Sequence, residues 1–222
     1  MQSHAQNTNE SGVEQTYFAM FSLPHKLTID TVALERDFYK LSRRLHPDLY
    51  ARKSADEQAW SLRQSSLLND AYRTLKDPVT RTAYLLKLEG LRVEDENSET
   101  RDPIAKQNRV PVDLLEEVFE LNMQLEEMRA NLKMGEDDPV LRGDLERAQV
   151  QFKGMLAAVD KDLHRAWAAW DAALDANDVA AKDKQKNAMV ALLDRRSYLR
   201  NLLREVDSVL SPEMTDVAKA NI

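Results

Sequence analysis

The chain has 222 residues, a net charge of −7, no cysteine and four histidines. Without cysteine it forms no disulfide, has no thiol nucleophile and holds no metal ion or cluster through thiolates. No segment approaches the roughly twenty consecutive apolar residues that a membrane-spanning helix needs. The acidic balance argues against a nucleic-acid partner, because phosphate binding requires a concentrated cationic surface. Five glycines and seven prolines are few for this length and favour long helices.

Composition changes along the chain and predicts two folded regions. Residues 1–15 contain no Lys or Arg and no long apolar run, which predicts a disordered polar leader rather than a targeting sequence, and hence a cytoplasmic protein. Residues 91–110 are rich in Glu, Asp, Asn and Ser without sustained periodicity, and we expect an acidic linker there. Folded domains are therefore expected over 16–90 and 111–211, followed by a short tail over 212–222.

A basic amphipathic helix ends at His46-Pro47-Asp48, which we call the HPD tripeptide. Apolar residues at helical spacing predict a helix from about Thr31 to Leu45. Pro47 disfavours helical geometry in the residue before it, so His46 should leave the helix and enter a short turn. The apolar positions are Val32, Leu34, Phe38, Leu41 and Leu45. The cationic side chains of the last turns, which we call the basic face, are Lys40, Arg43 and Arg44.

Three further helices complete this region. A second apolar stripe predicts a long helix that ends before Asp77-Pro78, because proline breaks helices. A shorter helix should end at Gly90, and residues 18–23 predict a first helical turn. We expect four helices, with the two long ones antiparallel and the HPD tripeptide exposed between them. The stripe consists of Leu67, Leu68, Ala71, Tyr72 and Leu75.

Residues 16–90 resemble a J-domain, specifically that of the HscB family of iron–sulfur co-chaperones. Besides the HPD tripeptide, the resemblance rests on Asn69, Ala71, Tyr72, Thr74, Leu75, Pro78, Arg81, Ala83, Tyr84, Leu85 and Leu86. It implies that the HPD tripeptide and the basic face bind a DnaK/HscA-type chaperone and promote its ATP hydrolysis. Leu49 departs from the Lys that usually follows the Asp in J-domains. The region holds 12 Lys and Arg against 9 Asp and Glu, which suits an acidic partner.

Residues 111–211 predict three long helices that fold into an antiparallel bundle. On the first, a continuous apolar seam comprises Leu114, Val118, Leu121, Leu125, Met128 and Leu132. Asp138-Pro139 predicts the start of the second helix, whose stripe comprises Leu141, Leu145, Ala148, Phe152, Met155, Val159, Ala166 and Trp170. Asn177-Asp178 begins the third, with Leu192, Leu199, Leu203, Val206 and Leu210. The predicted fold class is all-α, a four-helix J-domain joined to a three-helix bundle.

A second apolar stripe on the first bundle helix, which we call the apolar ridge, comprises Leu115, Phe119 and Met123. At about 100° per residue these side chains lie well away from the seam and cannot share its core. Glu116, Glu120 and Glu127 border the stripe. An apolar strip rimmed by charge is typical of a specific docking surface. The alternative is that the ridge packs within the protein, on the J-domain or on Trp167.

In the HscB family the C-terminal bundle binds the scaffold protein on which iron–sulfur clusters assemble. The resemblance places the contact residues at Leu115, Phe119, Glu120, Met123, Glu127 and Tyr198. Two positions depart from the family pattern, because bacterial relatives often have Glu where this chain has Met123 and some relatives have Phe where it has Tyr198. The chain also lacks the cysteine-bearing N-terminal extension of some eukaryotic relatives, which fits a bacterial form.

These patterns predict a co-chaperone that binds an IscU-type scaffold with its bundle and presents it to a DnaK/HscA-type ATPase. The protein itself is not expected to be an enzyme, since no nucleophile with a convergent base, phosphate loop or metal-ligand spacing is recognisable, and no cofactor or metal is implied. Two alternatives remain: a general J-protein for unfolded clients, and a helical scaffold with a vestigial J-domain. His25, His164, Trp167 and Trp170 are interpreted as structural.

Overall fold

The computed structural model describes residues 16–91, 111–136 and 138–211, which are helical and contain no strand. The predicted leader, most of the predicted linker and the predicted tail lie outside these residues. None of the helices in the described ranges is long and apolar enough to cross a membrane. Short 3₁₀ helices span Pro47–Tyr50 and Val112–Leu114. The α-helices are α1 Tyr17–Met20, α2 Thr31–Leu45, α3 Ala55–Lys76, α4 Pro78–Leu88, α5 Leu115–Met134, α6 Pro139–Asp175 and α7 Val179–Leu210.

Local capping chemistry explains where several helices begin and end. The carboxylates of Asp30, Asp77 and Asp138 each accept hydrogen bonds of 2.8 to 3.1 Å from the amides two and three residues later. These bonds satisfy amides that lack a partner in the first turn of a helix. At the other end of α5, Gly135 adopts a left-handed φ of 76° and closes the helix. The predicted limits of α2, the predicted end of α3 and the predicted start of α6 are confirmed.

The chain divides into two compact units. The first unit contains, among the described residues, 16–91 together with Trp167–Lys186; the second contains the remaining described residues. The end of α6 and the beginning of α7 thus cluster with the N-terminal helices, which the sequence did not indicate. The predicted domain limits of 16–90 and 111–211 remain a prediction.

In the first unit, α2 and α3 form an antiparallel hairpin. The rings of Phe38 and Tyr72 stack with their centroids 4.2 Å apart. Nearer the turn, the carbonyl of Leu45 accepts a hydrogen bond of 2.7 Å from the Ser61 hydroxyl. Because earlier residues of α2 pair with later residues of α3, the two helices must run in opposite directions.

The prediction of the buried α2 stripe is wrong for one residue. Val32 is 76% exposed, whereas Leu34 is buried. At about 100° per residue, Val32 lies about 160° around the helix from Leu34, so it faces solvent despite its apolar side chain. On α5, Leu132 lies on the predicted face but is exposed, because it occupies the last turn of the helix.

The loop between α1 and α2 is anchored on α6 within the first unit. Asp171 accepts hydrogen bonds from the backbone amides of Leu27 at 2.7 Å and Thr28 at 2.9 Å. The indole of Trp170, which is fully buried, donates to the carbonyl of His25 at 2.9 Å. Trp170 therefore serves the core of this unit, although the sequence placed it on the bundle stripe. These bonds give an otherwise unpaired loop backbone its partners.

The second unit is a helical bundle whose seam residues on α5 are buried up to Met128. The connection between α5 and α6 is short, so these helices must reverse direction. Side-chain hydrogen bonds between α6 and α7 join early residues of one helix to late residues of the other, which shows that this pair is also antiparallel. These bonds join Arg142 to Leu210 at 3.4 Å, Gln149 to Asp207 at 2.5 Å, and Asp160 to Arg196 at 2.7 Å.

We expect Asp171→Ala to lower the free energy of unfolding by about 2 to 3 kcal/mol, because it leaves two loop amides without an acceptor. Urea titration measures this loss. Asp175→Ala is the matched control: the Asp175 side chain is 64% exposed and pairs with Lys26 at 2.7 Å. Loss of such an exposed ion pair should cost less than about 1 kcal/mol. Equal losses in the two variants would contradict the anchoring role of Asp171.

Candidate functional site

The HPD tripeptide lies at the surface between α2 and α3. His46 ends α2 with an extended backbone, at φ −60° and ψ 129°, and Pro47 begins the following 3₁₀ helix. The Nδ1 atom of His46 accepts a hydrogen bond from the Asp48 amide at 3.2 Å and lies 3.4 Å from an oxygen of the Asp48 carboxylate, and these contacts restrain the ring. The side chains of His46 and Asp48 are 54% and 89% exposed. Both polar groups are therefore available to a partner.

The loop that follows the HPD tripeptide is held by hydrogen bonds. The Leu49 amide donates to the His46 carbonyl at 3.0 Å. At the far end, the Gln58 amide group donates to the Lys53 carbonyl at 2.9 Å. Glu57 and Ser54 then form a reciprocal capping box that begins α3, and the bonds from Ser54 lower the pKa of Glu57. These contacts present the tripeptide on an ordered turn.

The C-terminal end of α2 carries a contact that sequence reasoning missed. The Leu45 carbonyl accepts two hydrogen bonds from α3, from Ser61 Oγ at 2.7 Å and from Ser65 Oγ at 2.8 Å. The spacing of these serines, four residues apart on one helix face, was visible in the sequence. Only the fold shows that this face meets the residue before the HPD tripeptide.

The basic face lies on the exposed side of α2 and in its last turns. Lys40 forms an ion pair with Asp37 at 2.9 Å, and this bond lowers the pKa of Asp37. Both side chains are well exposed, so the pair is weak and leaves Lys40 able to exchange partners. Arg43 and Arg44 are exposed in the final turn, next to the HPD tripeptide.

The apolar ridge is exposed along the first half of α5. Leu115, Phe119 and Met123 are 51%, 69% and 61% exposed, so the other described helical segments of the second unit do not cover them. Val112, which the sequence did not single out, is 84% exposed. It lies in a 3₁₀ turn, in which residues three apart are eclipsed, and therefore extends the row from Leu115.

Three of the carboxylates near the apolar ridge lie on the same side of it; Glu126, which lies in line with the ridge, pairs with Arg129 at 2.6 Å. Glu116, Glu120 and Glu127 are exposed on α5. Measured around the helix from Phe119, all three lie about 60° to 100° in the same direction. The acidic rim is therefore asymmetric, and it can fix the orientation of a partner as well as attract it.

Tyr198 lies half-buried on α7 in the same unit as the apolar ridge. One turn earlier, Arg195 pairs with Asp113 at 2.8 Å. This pair joins α7 to the 3₁₀ turn that precedes the ridge, so Tyr198 is near the beginning of the ridge. Burial and the nearby charge of Glu205 raise the pKa of Tyr198, which keeps its phenol neutral and able to donate a hydrogen bond.

Comparison with solved protein structures identifies the fold of this chain. The structure resembles chaperone HscB from Vibrio cholerae with a TM-score of 0.56 and 24% sequence identity, over 89% of this chain and 98% of that one. It also resembles human co-chaperone HscB with a TM-score of 0.56 and 21% identity, over 96% of this chain and 93% of that one. No family model matches the sequence. The chain has the HscB fold.

This match confirms the predicted architecture, a J-domain and a C-terminal helical domain, over nearly the whole length of both HscB proteins. It also confirms, at the level of the fold, the resemblance seen in the sequence. Among the described residues, no group of three or more His, Asp or Glu side chains is placed to hold a metal ion.

The phenol of Tyr198 should ionise above its ordinary value of 10.0, because burial and Glu205 both disfavour the phenolate. The difference in ultraviolet absorbance between wild type and Tyr198→Phe, followed during an alkaline titration, isolates this group. Glu205→Gln should lower the pKa only in part, since burial is the larger cause. A difference titration centred at or below the ordinary value would contradict this environment.

Proposed function

We propose that this protein is an HscB-family co-chaperone. It stimulates a DnaK/HscA-type ATPase through its HPD tripeptide, binds an IscU-type iron–sulfur scaffold through its apolar ridge, and acts in the bacterial cytoplasm. The observation that carries the proposal is an exposed, ordered HPD tripeptide in a chain with the HscB fold. Cluster assembly or transfer takes place on the scaffold, and ATP hydrolysis takes place in the chaperone.

The chaperone-binding role follows from the chemistry at the end of α2. Asp48 offers a nearly fully exposed carboxylate for a charge-assisted hydrogen bond. Pro47 fixes the turn, and His46 presents an imidazole nitrogen beside it. The basic face steers an acidic surface of the chaperone toward the tripeptide. Binding here favours the chaperone conformation that hydrolyses ATP, so the tripeptide acts as a trigger.

The scaffold-binding role follows from the apolar ridge. Its three side chains are largely exposed in the free protein, so a partner that covers them gains the free energy of apolar burial, up to about 1.5 to 3 kcal/mol for each side chain. The one-sided acidic rim requires basic groups along one margin of the partner surface. We therefore expect the scaffold to offer an apolar groove with Lys or Arg on one side.

A general J-protein for unfolded clients would also use an exposed apolar surface. The one-sided rim favours a folded partner, because an unfolded chain has no fixed margin to match it. The linker sequence also lacks a Gly/Phe-rich tract of the kind that general J-proteins carry. Binding measurements separate the two candidates: a dedicated co-chaperone should prefer the folded scaffold protein to denatured protein.

His46→Gln should abolish stimulation of the chaperone ATPase and leave scaffold affinity unchanged, because it alters only the exposed tripeptide. Steady-state ATP hydrolysis by the chaperone, with and without scaffold, measures the first effect; calorimetry measures the second. His164→Gln is the matched control, since it makes the same change at an exposed position on α6. If His46→Gln leaves the ATPase rate unaltered, the J-domain is vestigial.

The double variant Leu115→Ala with Phe119→Ala should weaken scaffold binding at least about tenfold, because central apolar residues dominate interface affinity. ATPase stimulation in the absence of scaffold should be unchanged. Val140→Ala with Val150→Ala removes two exposed apolar side chains from α6 and is the matched control. The proposed division of labour is contradicted if the ridge variant and His46→Gln each lose both scaffold binding and ATPase stimulation while both proteins remain folded.

A further inference from the structure

We infer that Ser61 and Ser65 are positioning residues for the HPD tripeptide, which they hold through the Leu45 carbonyl. The inference rests on the proposed function and deepens it, because it assigns the trigger a support on α3. The two hydroxyls act on the backbone one residue before His46 and not on the chaperone. Both lie on α3, away from the exposed side chains of the tripeptide.

The helix end creates the need for these bonds. In a continuing helix, the Leu45 carbonyl would accept a hydrogen bond from the amide of residue 49. Here the Leu49 amide instead donates to the His46 carbonyl at 3.0 Å, because the chain turns at Pro47. The Leu45 carbonyl thus loses its helical partner, and such a group is costly to leave unpaired in a half-buried site.

The two serines satisfy that carbonyl from one face of α3. Ser61 is fully buried, and Ser65 is half-buried one turn later. Serine in a helix often bonds to the backbone of its own preceding turn, but these hydroxyls reach across to α2 at 2.7 and 2.8 Å. Alanine would favour the helix more strongly at both positions. The two hydroxyls therefore serve the bonds to the Leu45 carbonyl and not the stability of α3 itself.

These bonds fix where the HPD tripeptide begins. The Leu45 carbonyl belongs to the same rigid peptide plane as the His46 amide, so holding its oxygen sets the direction in which His46 leaves α2. The far end of the loop is held by Gln58, also on α3, through the Lys53 carbonyl at 2.9 Å. The loop that contains the HPD tripeptide is thus held at both ends by α3, while the side chains of His46 and Asp48 remain exposed to the partner.

The double variant Ser61→Ala with Ser65→Ala tests the inference in a chaperone ATPase titration. The basic face is unaltered, so the concentration that gives half-maximal stimulation should change little. Maximal stimulation should fall about tenfold, because a loosened loop rarely adopts the triggering geometry. A merely structural defect predicts the opposite: fewer folded molecules raise the half-maximal concentration and leave the plateau unchanged.

Two variants serve as controls, and Ser65→Ala is a second test variant. Ser66→Ala removes an exposed hydroxyl from the same helix and should behave like wild type. Ser65→Thr keeps the hydroxyl and should retain the plateau that Ser65→Ala loses in part. If the double variant fails to fold, this comparison between Ser65→Thr and Ser65→Ala carries the test. The inference is overturned if maximal stimulation is unchanged in Ser65→Ala and in a folded double variant. It is also overturned if Ser65→Thr and Ser65→Ala lose maximal stimulation equally.

Amide hydrogen exchange at Leu49 gives a readout that needs no chaperone. This amide donates to the His46 carbonyl, and its exchange should become about tenfold faster in the double variant. The acceleration should be smaller in Ser65→Ala and absent in Ser66→Ala. If wild type stimulates no DnaK-type ATPase, yet exchange accelerates as expected, the proposed function fails and the positioning role stands. If wild type stimulates the ATPase and neither plateau nor exchange responds, only the positioning role fails.

Discussion

The break that Pro47 imposes on α2 is the constraint on which the first unit depends. Proline disfavours helical geometry at His46 and provides no amide hydrogen, so the chain must leave the helix there. The turn exposes the HPD tripeptide, allows α3 to return antiparallel to α2, and leaves the Leu45 carbonyl without its helical donor. A single backbone restriction thereby exposes the HPD tripeptide and leaves the carbonyl before it in need of another hydrogen-bond donor.

Helix α5 carries two apolar faces on one sequence, of which only one belongs to the core of the second unit. Its seam is buried up to Met128, while the apolar ridge stays exposed on another face. Exposed apolar rows of this kind are uncommon on soluble proteins unless they bind something, since they promote aggregation. The carboxylates beside the ridge reduce this risk. Under the proposed function they also select the scaffold, because a surface without matching cations would bury them unpaired.

Local chemistry made much of the fold predictable. Prolines indicated the end of α2, the end of α3 and the start of α6, and helical angles separated the ridge from the seam. The same angles, applied strictly, would also have removed Val32 from the α2 stripe. Val112 was missed because its turn is 3₁₀ rather than α-helical. The bonds from Asp171 to Leu27 and Thr28 join residues more than 140 positions apart, and no local pattern encodes such a contact.

Under the proposed function, charge assigns the two partners to different surfaces. The HPD tripeptide follows directly on the basic face, whereas the apolar ridge is bordered by carboxylates. A partner acidic enough to be steered to the first surface is repelled by the rim of the second, and the reverse holds for a basic groove. The two contacts also differ in physical kind: charge steering weakens as salt screens it, but burial of the ridge does not depend on that screening. For the proposed co-chaperone, the scaffold contact therefore depends less on charge than the chaperone contact does.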